Sequence, residues 1–81
     1  MTTPVQLHHR YRTRNGLLAT ITATDRGGLR PVRAEVAIPA GHYGNEQPLT
    51  DIRFYTPAGR VHQPLGGEPQ EDSPYDLITE A

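Results

Sequence analysis

Apolar and polar residues alternate along several short segments of this chain. In LLATITAT, residues 17–24, the side chains of Leu17, Ala19 and Ile21 share one face and threonines share the other. VRAEVAI, residues 32–38, alternates in the same way. A period of two residues is typical of a strand that buries one face. Both segments are therefore predicted to be strands whose apolar faces point into the core.

Four other segments predict strands that are shorter or less regular. The first strand is predicted from His8 to Arg14. Asn15-Gly16 then predicts a type I′ turn, because both central positions of that turn need a positive φ. The other three predicted strands cover residues 51–56, 60–63 and 75–78.

The spacing of these strands predicts the fold class. Gly and Pro, eight of each, interrupt the chain too often for a helical bundle, and no segment of ten or more residues has a helical period. We therefore expect an all-β protein, a small antiparallel meander or SH3-like barrel of five to six short strands. The predicted division is an N-terminal arm (1–7), a β-barrel core (8–63) and an acidic C-terminal segment (64–81) that contains the last edge strand.

Composition limits the class of protein further. The 81 residues include no cysteine, so neither a disulfide nor a cysteine zinc site can form. His8 and His9 are adjacent in the predicted first strand and point to opposite faces, so no metal site and no cofactor are predicted.

No apolar run is long enough to span a membrane, and the chain start lacks a signal peptide, so a cytoplasmic protein is expected. A small core and unpaired edges favour a homo-oligomer.

The charges are divided unevenly along the chain. All eight cationic side chains are arginine, and residues 1–33 hold six of them against one acid. Residues 34–81 hold two arginines against eight acids. Arginine binds phosphate or carboxylate through planar, bidentate hydrogen bonds, which is one reason to use it throughout. The alternative is that an arginine-only set reflects a GC-rich genome.

The first hairpin carries the strongest candidate for a binding surface. Alternation places Arg10, Arg12 and Arg14 on one face of the predicted first strand, about 6.6–6.8 Å apart. Threonines of the second strand are expected beside them. This face is either a platform for a phosphate-bearing ligand or nucleic acid, or a solvated surface whose charge the acidic C-terminal segment balances.

Aromatic residues accompany arginine elsewhere in the chain. In the strand 51–56, Ile52 and Phe54 are expected to point inward, and Arg53 and Tyr55 outward. The next predicted hairpin would bring Tyr55 near Arg60 or His62, which resembles a nucleotide pocket in composition but is also a common way to pack two strands. His42-Tyr43 lies in a glycine-rich loop that either closes over a ligand or is plain surface. The predicted ligand-binding residues are Arg12, Arg14, Arg53, Tyr55, Arg60, His62, Tyr43 and Tyr75.

Catalysis has little support in the sequence. The only serine, Ser73, lies in an acidic segment with no base near it in sequence. The neighbouring carboxylates Glu71 and Asp72 are expected to be solvated, and solvated carboxylates are poor general acids. No enzyme activity is predicted.

Three short motifs resemble a group of small phage and prophage accessory proteins. They are Tyr-x-Thr-Arg-x-Gly at 11–16, Tyr-Thr-x-x-Gly-Arg at 55–60 and Ser-x-x-Asp-Leu at 73–77. The chain departs from the group at Ala58, where an acidic residue is usual, and at Tyr55, where Trp is common. Several phage proteins of this size are anti-defence sponges that sequester nucleotide-derived immune signals. The resemblance therefore implies a nucleotide-binding role in the cytoplasm of an infected or lysogenic bacterial host.

Two classes of function remain. In the first, the protein is a non-enzymatic sponge that binds a phosphate-bearing, nucleotide-derived molecule, with pockets between protomers. In the second, it is an interaction module that binds nucleic acid or a host protein through its arginine-rich hairpin. The net charge of −1 argues against strong nonspecific binding of nucleic acid, because the acidic half repels the phosphate backbone.

Overall fold

Five strands form one antiparallel sheet in the computed structural model, which describes residues 4–62 and 69–81. The strands are β1 (Arg10–Thr13), β2 (Leu18–Ala23), β3 (Val32–Ile38), β4 (Leu49–Tyr55) and β5 (Leu77–Glu80). Their order across the sheet is β4-β3-β2-β1-β5, so β1 to β4 form a meander and β5 returns to pair with β1. The sheet is open, with β4 and β5 at its edges. The prediction of a small all-β antiparallel meander is confirmed.

One face of the sheet holds the core. Leu17, Ala19 and Ile21 of the first hairpin and alternate residues of β3 from Val32 to Ile38 are buried there, as the alternation predicted. We call this face the inner face and the opposite one the outer face. Segments before β1 and between β4 and β5 cover the inner face, and Val5, Val61 and Tyr75 pack against the core from these segments.

The first hairpin closes through a turn that differs from the prediction. The N–H of Thr13 donates to the carbonyl of Leu17 (2.8 Å), and the N–H of Gly16 donates to that of Thr13 (2.9 Å), so three residues form the loop. Gly16 has a φ of 86°, but Asn15 does not have a positive φ, so the predicted type I′ turn is wrong. The side chain of Thr13 explains the change, because its hydroxyl contacts Asn15 Oδ1 and accepts a hydrogen bond from the Leu17 N–H (2.9 Å).

Strand β1 is consequently shorter than predicted. His8 lies in a turn with a φ of 69°, and Arg14 belongs to the hairpin loop. Arg10 pairs with Thr20 as expected, but Arg12 pairs with Leu18 rather than with a threonine. Of the three arginines in this segment, only Arg10 and Arg12 lie on the outer face of the sheet.

Strand β4 presents the opposite faces from those predicted. Tyr55 pairs with Val32 and Arg53 with Ala34, and residues directly opposite each other share a face of the sheet. Tyr55 and Arg53 therefore lie on the inner face. Ile52 and Phe54 lie on the outer face and are 39% and 42% exposed. The register with β3 decides the orientation, since the core already fixes the inward face of β3.

Of the predicted strand at 60–63, the described residues 60–62 do not form a strand. Gly59 turns the chain, and the Thr56 N–H donates to the Arg60 carbonyl (2.8 Å). The N–H of Val61 then donates to the Asp76 carboxylate (2.8 Å) instead of to a neighbouring strand, so the pairing stops. Gln63 lies outside the described residues, as does the part of the acidic segment up to residue 68. The last edge strand exists but begins two residues later than predicted, at Leu77.

Candidate functional site

A groove lies at the end of the sheet where β1 and β3 end and β2 and β4 begin. We call it the terminal groove, and its volume is about 380 Å³. Cavities of roughly 300–1,000 Å³ are typical of small-molecule sites. Its lining is mostly apolar and consists of Arg12, Gly16, Leu17, Leu18, Ala37, Ile38, Pro39, Pro48, Leu49 and Thr50.

Arg12 supplies the charge of the terminal groove. Its side chain is exposed on the outer face, and its Nη1 lies 3.4 Å from the Gly16 carbonyl. Among the described residues, no carboxylate lies within salt-bridge distance of Arg12. A guanidinium without a carboxylate partner keeps its bidentate donors available to a phosphate or carboxylate. The groove therefore combines one anion-binding group with an apolar wall.

The loop between β3 and β4 forms one wall of this groove and is held by its own hydrogen bonds. The Asn45 amide donates to the carbonyls of Pro39 (3.2 Å) and Gln47 (2.6 Å). The Gly41 N–H donates to the Asn45 carbonyl (2.8 Å). Prolines at both ends and this asparagine in the middle fix the loop, so the wall is largely preformed.

A second group of predicted residues meets on the inner face. The Arg53 guanidinium lies 3.9 Å from the centre of the Tyr75 ring, and its Nε donates to Asp51 Oδ2 (2.8 Å). The hydroxyls of Tyr43 and Tyr75 are hydrogen-bonded to each other. We call Tyr43, Asp51, Arg53 and Tyr75 the tyrosine cluster. The hydrogen bond with Tyr43, together with burial, raises the pKa of the Tyr75 hydroxyl.

Tyr55 lies in the core and is fully buried, with no face open to a ligand. The predicted aromatic platform at Tyr55 is therefore wrong, and the β3–β4 register is the reason. Burial raises the pKa of its hydroxyl far above the ordinary value, although the charge of Arg53 opposes the shift. In the described part of the chain this hydroxyl has no hydrogen-bond partner.

Arg14 and Arg60 share two carboxylates. The Nε of Arg60 lies 3.0 Å from Asp76 Oδ2, and the Nη2 of Arg14 lies 3.5 Å from the same oxygen. The Nη2 of Arg60 also lies 2.6 Å from Asp72 Oδ1, and Arg14 Nη2 lies 3.6 Å from it. We call these four residues the carboxylate cluster. Two guanidinium groups and two carboxylates give it no net charge.

Asp76 is the centre of the carboxylate cluster. Its side chain is fully buried, and it accepts hydrogen bonds from the N–H groups of Val61 (2.8 Å) and Ser73 (2.9 Å). Burial alone would raise the pKa of this carboxyl, but the two N–H donors and Arg60 outweigh it and hold the pKa below the ordinary value. Asp76 is therefore ionised at neutral pH and links Val61, which follows β4, to Ser73, which precedes β5.

The predicted site residues thus fall into separate groups. Arg12 lines the terminal groove, while Tyr43, Arg53 and Tyr75 form the tyrosine cluster. Arg14 and Arg60, both predicted to bind a ligand, meet in contact with carboxylates. His62 joins none of these groups, and its carbonyl accepts a hydrogen bond from the Gln70 amide (2.7 Å).

The three sequence motifs meet at the carboxylate cluster. The Arg14 N–H donates to the Asp76 carbonyl (2.8 Å), and the Leu77 N–H donates to that of Gly59 (2.9 Å). A Cβ at Gly59 would lie 3.1 Å from that of Leu77, so the close approach needs glycine. These motif residues hold the fold together. Sequence reasoning missed Asp76, although its place three residues after Ser73 is a typical spacing for a side chain that caps a turn.

The described residues contain neither a helix with the length and hydropathy of a membrane span nor three His, Cys, Asp or Glu side chains placed to hold a metal. No protein-family model, curated protein or solved structure matches the chain.

Proposed function

We propose that the protein is a non-enzymatic binding protein that sequesters a phosphate-bearing, nucleotide-derived molecule. A phosphate of the ligand lies on Arg12, and its base lies against the apolar wall of the terminal groove. One observation carries the proposal: a preformed apolar groove of about 380 Å³ has an exposed guanidinium at its side. Such a groove suits a flat, weakly polar ring that is attached to an anion.

The proposed site differs from the one that the sequence suggested. Arg14 and Arg60 already contact Asp72 and Asp76, so a phosphate would have to displace a carboxylate from them. At Arg12 a phosphate would displace no carboxylate of the described residues. Arg10 lies two positions along the same face of β1, about 6.6–6.8 Å away, and can meet a second phosphate.

The resemblance to small phage proteins supports a biological role for this binding. In that role the protein is an anti-defence sponge that lowers the concentration of a nucleotide immune signal in the bacterial cytoplasm. Sequestration needs tight binding without conversion of the ligand, and a groove with one charged group provides binding alone.

Calorimetry with cyclic dinucleotides, ADP-ribose derivatives and short oligonucleotides tests the proposal. We expect a small nucleotide to bind the wild type and Arg12→Ala to weaken it by about tenfold or more, because one charge-assisted contact contributes roughly 1.5–3 kcal/mol. Ala37→Glu places a carboxylate at the groove, where Ala37 is exposed, and should abolish binding.

Arg26→Ala is the matched control, because Arg26 is exposed and lies against Phe54, outside the terminal groove. It should leave the affinity unchanged within about twofold. Equal losses of affinity in Arg12→Ala and Arg26→Ala would contradict the proposed site. If no ligand of the panel bound the wild type, the proposed function would be wrong.

A second candidate function uses the whole outer face. Arg10, Arg12 and Arg33 lie there beside a shallow groove of about 250 Å³ that is lined by Thr20, Thr22, Glu35, Ala37 and Thr50. Arginine and threonine side chains suit contacts with a nucleic-acid backbone. Binding of oligonucleotides alone, with an affinity that falls steeply with salt, would favour this function.

A further inference from the structure

The two edges of the sheet are built differently. β5 has four residues, and its pairing with β1 contains an irregularity between Arg12 and Thr13. β4 has seven residues, Leu49 to Tyr55, and pairs with β3 in one unbroken register. A long and regular edge strand offers a row of backbone donors and acceptors to another strand.

Three of the seven large apolar side chains that are exposed among the described residues lie on this edge strand. Leu49, Ile52 and Phe54 are 52%, 39% and 42% exposed. A groove of about 520 Å³ touches Ile52, Arg53 and Phe54 of β4 and continues to Arg30 and Val61. Because Ile52 and Arg53 point to opposite faces, a groove that contacts both runs along the edge of the sheet that β3 does not occupy.

We propose that β4 is a dimer interface at which a second copy of this chain pairs antiparallel with it. The two-fold axis passes between Ile52 and the partner's Ile52, perpendicular to the sheet. The two five-stranded sheets then form one continuous sheet with a common inner face.

The charges of β4 select this register. Symmetric antiparallel pairing must be centred on a single residue, so that each residue faces one on the same side of the sheet. Centring on Asp51 would place two aspartates opposite each other, and centring on Arg53 would place two arginines opposite each other. Centring on Ile52 places Asp51 opposite the partner's Arg53 and Arg53 opposite the partner's Asp51. Opposite charges across a pair of strands stabilise it, whereas like charges destabilise it.

The apolar residues fit the same register. The two Ile52 side chains meet on the outer face at the axis, with Phe54 opposite the partner's Thr50. On the inner face, exposed Leu49 lies opposite the partner's Tyr55 and extends the core across the interface. Charge and apolar complementarity therefore both favour centring on Ile52, the middle residue of β4, which pairs all seven residues of the strand. The interface does not include Arg12, although it shares Leu49 and Thr50 with the terminal groove.

Charge reversal tests the register. Asp51→Arg gives a strand with arginine at both positions, and Arg53→Asp gives one with aspartate at both. Sedimentation equilibrium should show a wild-type dimer and a dissociation constant at least about tenfold higher for each variant. An equimolar mixture of the two variants should form a heterodimer, because every opposite pair is then arginine with aspartate.

The double variant Asp51→Arg/Arg53→Asp should dimerise like the wild type, since it exchanges the charges while it keeps them complementary. Glu80→Arg, a reversal on the other edge strand, is the matched control and should not change the dissociation constant. Circular dichroism establishes that each variant is folded. A wild type that stays monomeric to about 1 mM, or variants that fail to associate when mixed, would overturn the proposal. A loss of ligand binding in Arg12→Ala has no bearing on the proposal of a β4 dimer interface.

Discussion

Two pairs of arginines in this protein differ in whether carboxylates surround them. Arg10 and Arg12, the outer arginines, lie exposed on β1, and no carboxylate of the described residues lies within salt-bridge distance of them. Arg14 and Arg60, the inner arginines, contact the buried carboxylate of Asp76. Arg14 is the first residue after the strand that holds the outer arginines, and it lies in the hairpin loop that ends at Gly16.

This difference separates binding from stability. An exposed arginine loses little solvation free energy on folding, and its N–H donors remain available to a ligand. An arginine beside a buried carboxylate is needed to neutralise the charge of that carboxylate. The alternating RYRTR segment made three arginines look equivalent. In the structure the first two are exposed on β1, whereas the third belongs to the carboxylate cluster.

Removing the charge of Asp76 should produce the largest effect on stability. Asp76→Asn leaves two arginines and two backbone N–H groups facing a neutral amide, and breaking a buried ion pair typically costs about 3–5 kcal/mol. Urea denaturation at neutral pH should show a lower unfolding free energy by this amount. Asp72→Asn, at a carboxylate that is 68% exposed, should cost no more than about 1 kcal/mol.

Acid provides a second readout of the same carboxylate. Because the pKa of Asp76 is lowered in the folded state, its stabilisation is present above the unfolded pKa near 3.8 and is lost as the pH falls through the folded pKa. The difference between wild type and Asp76→Asn should therefore shrink below that pH. A difference that stays constant on acidification would contradict the role of the ionised carboxylate.

Alanine substitution compares the two arginine sets directly. Arg60→Ala removes charge-assisted hydrogen bonds to Asp76 and Asp72 and should lower the unfolding free energy by roughly 1.5–3 kcal/mol. Arg12→Ala should change it by less than about 0.5 kcal/mol, as is usual for exposed positions. Thermal and urea denaturation of both variants measure the difference. Equal losses would mean that the outer arginines also support the fold.

The turn that follows Arg14 should give a smaller effect than the loss of the Asp76 or Arg60 side chain. Gly16 has a φ of 86° with nothing within 4 Å of an added Cβ, so Gly16→Val is penalised by backbone conformation and not by crowding. We expect a loss of more than about 1 kcal/mol, because β-branched residues resist positive φ. Gly16→Asn should lose less, since asparagine tolerates this conformation. An unchanged melting temperature in Gly16→Val would contradict the turn geometry.

The sequence predicted the inward and outward faces correctly for central strands and incorrectly for the edge strand β4. The faces of the central strands β2 and β3 were predicted correctly, because both are flanked by other strands and alternate regularly. β4 was predicted with its faces reversed, because an edge strand can expose Ile52 and Phe54 while Tyr55 fills the core. The described residues 60–62 of the next predicted strand do not form a strand for a different reason, since the backbone N–H of Val61 donates to the side chain of Asp76.

Of the candidate site, the sequence identified most of the residue types but not their grouping. The arginines and the tyrosines Tyr43 and Tyr75 were found from composition and alternation. The walls of the terminal groove come from the ends of four strands and from two loops, so only the folded chain brings them together. The sequence offered the acidic C-terminal segment as one way to balance the arginines of the first strand. It did not identify Asp72 and Asp76 as the partners of Arg14 and Arg60, because these carboxylates lie 12 to 62 residues away in the chain.

The sequence by itself determined the all-β class, the positions of the central strands and the arginine-rich first hairpin, because period-two patterns and turn residues act locally. The tertiary structure decided which arginines remain exposed, which face of β4 enters the core and where the charges are neutralised. Those outcomes depend on strand register and on contacts between distant segments. Local alternation cannot encode them, because a change of one residue in register exchanges the two faces of a strand.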